Sequence, residues 1–136
     1  MSDLNQENTE AADEFHPRLH GIREDIQYSS IQGIRLYHNH NPIHFPPHWH
    51  SAIEILYPLD QNYTVRIGTE ENVLSPGDIL VVAPGTIHSY TPPESGERIF
   101  ILFDYNLLQM FSSLRQVMQA IQPYILITQT AYPPLN

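Results

Sequence analysis

Between Ile22 and Phe103 the chain is cut into strand-length pieces by turn chemistry, and this rhythm constrains the fold more than any other feature. The clearest pieces are residues 34–38, 53–59, 63–67, 79–82, 87–91 and 98–104, all rich in β-branched and aromatic side chains. Between them lie 39–42, 60–62, 68–72, 75–77 and 92–96, each rich in Gly, Pro, Asn, Asp or Ser. Parallel neighbours need crossovers of about a dozen residues, so consecutive strands joined by loops this short must pair antiparallel. About eight such strands in roughly 85 residues predict an all-β chain folded as an antiparallel double-sheet jelly roll or small barrel.

The period changes after the last of these strands. Leu107, Leu108, Phe111, Leu114, Val117, Met118 and Ile121 recur at helical spacing and predict one C-terminal helix over 106–122. Asp104 or Asn106 can cap its start, and Pro123 ends it. Residues 124–128 read as one further strand. The stripe is expected to pack on the core first and to serve as a dimer surface second.

A length of 136 residues suits one domain. Residues 1–15 carry Asp3, Glu7, Glu10, Asp13 and Glu14 with no positive charge, and predict a mobile acidic arm. The alternative is an arm that folds over a ligand. Residues 16–128 then form the domain. Residues 129–136, with Pro133 and Pro134, read as the start of a linker to a region that is not in this chain.

Composition excludes several chemistries. The chain has no cysteine, which removes thiolate zinc sites, Fe–S clusters and cysteine nucleophiles. Its acidic residues number 15 against 6 basic ones, all arginine, for a net charge of −9. That balance is the reverse of a phosphate-tracking surface, so these residues alone are not expected to bind nucleic acid. The sequence has neither an apolar run of about 18 residues nor a basic–apolar leader, which predicts a soluble, cytoplasmic chain with no membrane partner.

Histidine is the residue in excess, with 8 in the chain and His38, His40, His44, His48 and His50 close together. His48 and His50 stand two apart, so on a strand both point to one side with Cα atoms about 6.6 Å apart, and both rings can reach one metal. Glu54 has the same parity, but a straight strand would carry it about 13 Å beyond His50. The chain must therefore bend near Ser51–Ala52, or Glu54 is not a ligand. His88 follows much later, in Pro84-Gly85-Thr86-Ile87-His88. Either His48, His50 and His88 hold an ion, or they support the fold without one. His38, His40 and His44 read as loop or surface groups rather than a second site. Trp49, opposite in parity to the histidines, reads as packing. Tyr90 shares a face with His88, and Phe100 and Leu102 alternate inward on the next strand as an apolar wall. A wall of that kind weakens a sugar as the ligand.

These residues resemble the two motifs of the cupin superfamily, commonly written G-x5-H-x-H-x3,4-E-x6-G and G-x5-P-x-G-x2-H-x3-N. His48, His50 and Glu54 occupy the metal-ligand places of the first, and Gly77, Gly85 and His88 keep the spacing of the second. The departures are Pro42 and Gln61 at the first motif's glycines, and Pro84 and Pro92 near the second motif's proline and at its asparagine. Within cupins, the wording GDILVVAPGTIHSY, with HWH and EI upstream, resembles the amino-terminal sensor domains of AraC-type transcription regulators. The resemblance implies a double-stranded β-helix and a divalent metal (Zn, Ni, Mn or Fe) on His48, His50, Glu54 and His88. It implies a small-molecule effector beside Tyr90, Phe100 and Leu102, and a homodimer. It also implies DNA binding only through a helix-turn-helix region absent from this chain. The other function class is a small metal-dependent cupin enzyme, a dioxygenase or isomerase, for which His44 and Tyr90 are the only nearby acid–base groups.

Overall fold

Two antiparallel sheets face each other across an apolar interior in the computed structural model of the protein, which describes residues 18–28, 33–40 and 43–129. The five-stranded sheet runs β11 (Tyr124–Ile127), β8 (Ile79–Val82), β5 (Ala52–Pro58), β10 (Arg98–Asp104), β3 (Ile34–Asn39). The four-stranded sheet runs β4 (Phe45–His48), β9 (His88–Thr91), β6 (Tyr63–Ile67), β7 (Glu70–Leu74). A separate ribbon pairs β1 (Leu19–His20) with β2 (Arg23–Glu24). The ladders are antiparallel, as the short loops require.

The alternation of strand side chains decides what faces inward. On β10, Arg98, Phe100 and Leu102 are buried, and the residues between them are less so. In register, Phe100 stands opposite Tyr37 and Leu56, and Leu102 opposite Arg35 and Glu54. Tyr37, Leu56, Phe100 and Leu102 form one core between the sheets with Phe45, Val65, Leu74, Leu80, Val82 and Tyr90. Removing each leucine of that core from water stabilises the fold by about 2 kcal/mol. Strand β5 is buried on both faces because helix α2 (Ser112–Ile121) covers its outer side, where Met118 and Ile121 pack with Ile53 and Ala83.

Where the apolar stripe predicts a single C-terminal helix, the structure has two. Helix α1 (Tyr105–Gln109) and α2 are separated at Phe111, whose backbone is extended. They are anchored at different places: Leu107 of α1 lies against Gly33, and α2 is held by Met118 and Ile121. Phe111 and Val117, counted in the stripe, are each 53% exposed. Asp104 receives the Asn106 amide at 3.5 Å, so it caps α1 as anticipated.

Residues 70–72, read as turn, belong to β7. The hairpin needs only Gly68 and Thr69 between the strands, since Ile67 already pairs with Glu70. A two-residue turn of this kind takes positive φ at its first position, which Gly68 supplies at 60°. β7 reads as polar because it is an edge strand whose outward residues are charged. The strand 45–48 and the β1–β2 ribbon were likewise not anticipated. The acidic arm over 1–15 and residues 130–136 lie outside the described residues.

A candidate metal centre inside the barrel

Strand β4 ends at His48 and β5 begins at Ala52, with a bend between them at Ser51. That bend is the one the distance argument requires, and it returns the chain so that Glu54 Oε1 lies 3.7 Å from His50 Nε2. His88 arrives from β9, where it pairs directly with His48. The turn before β9 is tied to the first motif: the Gly85 N–H donates to the His50 carbonyl at 2.8 Å, with Gly85 at φ 77°. The rings of His48 and His88 are 4.2 Å apart and those of His50 and His88 5.1 Å. One ligand nitrogen from each of the three lies within 4.8 Å of the others, and all three residues are buried.

Each ring is fixed by a backbone carbonyl. His48 Nδ1 bonds to Pro46 O at 2.9 Å, His50 Nδ1 to Ala52 O at 3.1 Å and His88 Nδ1 to Thr86 O at 2.8 Å. A carbonyl oxygen only accepts, so Nδ1 carries the proton in each ring and a neutral imidazole presents a bare lone pair at Nε2. Fixing the far nitrogen in this way orients a metal-ligating imidazole. Nε2 of His50, Nε2 of His88 and Oε2 of Glu54 are buried without a hydrogen bond. Glu54 Oε2 lies 3.2 Å from His88 Nε2, so two acceptors face each other with no proton to share. Two atoms each about 2.1 Å from one ion are at most about 4.2 Å apart, and the Glu54 carboxylate lies inside that limit from both His50 and His88. The donor set therefore fits a divalent cation.

A second carboxylate joins the cluster, and sequence reasoning missed it. Glu24 Oε2 lies 3.4 Å from His48 Nε2 and 3.9 Å from His50 Nε2. The backbone puts it there. The Glu24 N–H donates to Trp49 O and the Trp49 N–H to Ile22 O, which stitches β2 alongside the residue between the two histidines. Glu24 also lines an outer cleft with Tyr28, Trp49, Ser51 and Asp104, so it stands between that cleft and the imidazoles. No spacing signal marks a two-residue strand this far upstream.

The charges around the site are strongly perturbed. Burial, and then the charge of Glu54, push Glu24 up to about 8. Burial, and then His88, hold His48 down to about 3.

A gap too tight to hold a water molecule adjoins the cluster, lined by His48, Glu54, Leu56, Tyr90, Arg98 and Phe100. Tyr90 shares the face of His88, their rings 5.5 Å apart. Leu102 is buried opposite Glu54 in register but is not among the residues lining this space. Arg98 was read only as the start of a strand. Its parity with Phe100 and Leu102 was the available signal that it points inward.

Away from the barrel interior, His38 Nε2 and His40 Nδ1 approach the Glu97 carboxylate at 3.3 and 2.9 Å, and His44 is exposed. Trp49 is half-buried at the outer cleft rather than in the core. No helix among the described residues is long and apolar enough to cross a membrane.

Comparison with known proteins agrees with this architecture. No curated protein matches the sequence. A cupin protein from Bacteroides fragilis has a similar structure at a TM-score of 0.51 and 22% identity, covering 62% of this chain and 77% of that one. A cupin-2 domain containing protein from Shewanella frigidimarina gives 0.50 at 14% identity, covering 73% and 90%. At these identities the likeness is one of fold, and the fold is the all-β cupin barrel. The model of the AraC-like ligand binding domain matches residues 32–127, and the chain belongs to that family.

Proposed function

We propose that the chain is the effector-sensing and dimerisation domain of an AraC-type transcription regulator, with a divalent ion on His48, His50, His88 and Glu54 as part of its binding site. The observation that carries the site is the set of buried imidazoles whose Nδ1 protons are committed to carbonyls. When bound, the ion supplies a Lewis-acid anchor for an oxygen or nitrogen of the effector. Tyr90 and Phe100 form the wall against which the effector packs, and Leu102 backs the position of Glu54.

The output runs through the helical pair. Met110, Phe111 and Val117 are exposed there, and we assign this face to a second copy of the chain. An effector shifts that association only by its differential affinity for the two states. DNA binding belongs to a helix-turn-helix region outside these residues, and the net charge of −9 gives this domain no phosphate surface of its own.

One observation favours the second reading, a metal-dependent cupin enzyme. Glu24, held up to about 8 beside the site, is an acid–base group of the sort such chemistry uses. Incubating the metal-loaded protein with a small-molecule library under NMR separates the two. Binding without conversion, accompanied by a change in dimer affinity, supports the sensor. Turnover of any bound compound supports the enzyme.

A further inference from the structure

Arg98 is 1% exposed and is among the largest fully buried side chains of the protein. Its guanidinium carbon lies 5.3 Å from the Tyr63 ring, 5.3 Å from the Tyr90 ring and 5.0 Å from the Phe100 ring. Aromatic rings attract a cation through their quadrupole but offer no lone pair for an N–H. Arg98 Nε and Nη1 are accordingly buried without a hydrogen-bond partner, and so are the hydroxyls of Tyr63 and Tyr90. Among the described residues Arg98 makes no ion pair, and Tyr63 and then Glu54 are the groups that favour its charge. Leaving such donors unmet in the interior is costly. The arginine lines the same narrow space as His48 and Glu54.

Building on the sensor reading, we infer that the effector is a small organic carboxylate whose anionic head is taken by Arg98, with the Tyr63 and Tyr90 hydroxyls beside it. A carboxylate supplies acceptors of the right charge for guanidinium N–H groups. It also leaves its carbon body against Leu56 and Phe100. No water molecule fits among these side chains, so a ligand enters by displacing them. Short-chain acids displace least.

The test is thermal-shift and calorimetric titration of the full chain, metal-loaded and metal-free, with sodium acetate, propionate and butyrate against the matching neutral amides. The acids should bind saturably and raise the melting temperature by mass action, while the amides should bind at least about 10-fold more weakly. Arg98→Gln should weaken acid binding by about 10- to 100-fold, corresponding to the strength of hydrogen bonds to a charged group. Should that variant fail to fold, the acid-against-amide comparison on the wild type still decides the matter. Equal binding of acids and amides, or no saturable binding of acids, overturns the carboxylate assignment. So does Arg98→Gln with unchanged acid affinity, which would put the acid on the metal. In each case, a neutral compound that binds and alters self-association would leave the sensor reading standing.

Discussion

Glu24 Oε2 and His48 Nε2 lie 3.4 Å apart inside the protein, brought together by a two-residue strand docked beside Trp49. The contact joins the β1–β2 ribbon to the histidine cluster. It makes Glu24→Gln an informative change. Metal affinity should fall by about 10-fold, within the range typical of groups that support metal ligands, while His48→Ala should abolish high-affinity binding. Isothermal titration with Zn²⁺ reads both. An unchanged affinity in Glu24→Gln would remove Glu24 from the site.

The same carboxyl sets a pH dependence in the metal-free protein. Unfolded, it ionises near its ordinary 4.5, whereas in the fold burial and Glu54 delay ionisation to about 8. Between these values the folded chain holds a proton that the unfolded chain has lost, so stability falls as pH rises through this window. The loss should be on the order of 5 kcal/mol in urea titrations, and Glu24→Gln should flatten it.

His48 acts in the opposite sense at lower pH. The unfolded imidazole takes a proton near 6.5, but burial and His88 hold the folded one down to about 3. Stability of the metal-free chain therefore declines as pH falls from about 6.5 toward 3. Imidazoles must be neutral to coordinate, so bound metal should be released over the acid side of this range. Elemental analysis after dialysis across the pH series gives the release directly.

The helical stripe divides into packing and surface residues. Met118→Ala, at a buried position against Ile53 and Ala83, should cost about 2–4 kcal/mol. Phe111→Ala and Val117→Ala should change stability by less than about 0.5 kcal/mol. If the assigned dimer face is right, these two changes weaken self-association in analytical ultracentrifugation and Met118→Ala does so only through unfolding.

Much of the fold was legible because its signals are local. Strands 63–67, 79–82 and 98–104 were readable residue for residue, since alternation and turn chemistry sit within a few positions of one another. His48, His50 and His88 were legible for the same reason. Glu54 could be placed only conditionally, because its position depends on a bend at Ser51 that no spacing rule supplies. Glu24 and Arg98 were missed for different physical reasons. Glu24 is delivered by a tertiary backbone contact to Trp49. Arg98 had the inward parity, but a charged residue at a strand's start reads as solvated unless the interior holds something to meet it. The break at Phe111 escaped because both helical pieces keep the same period, and only their separate anchors divide them.

The central claim is that the three imidazoles and Glu54 form a metal centre within the sensor barrel. Elemental analysis of protein purified without chelator or affinity-tag metal, side by side with the His48→Ala plus His88→Ala double variant, tests it most directly. The account predicts one divalent ion per wild-type chain and none in the variant. A wild-type chain that carries no metal and takes up neither Zn²⁺, Ni²⁺, Mn²⁺ nor Fe²⁺, or a variant that keeps its ion, would contradict it.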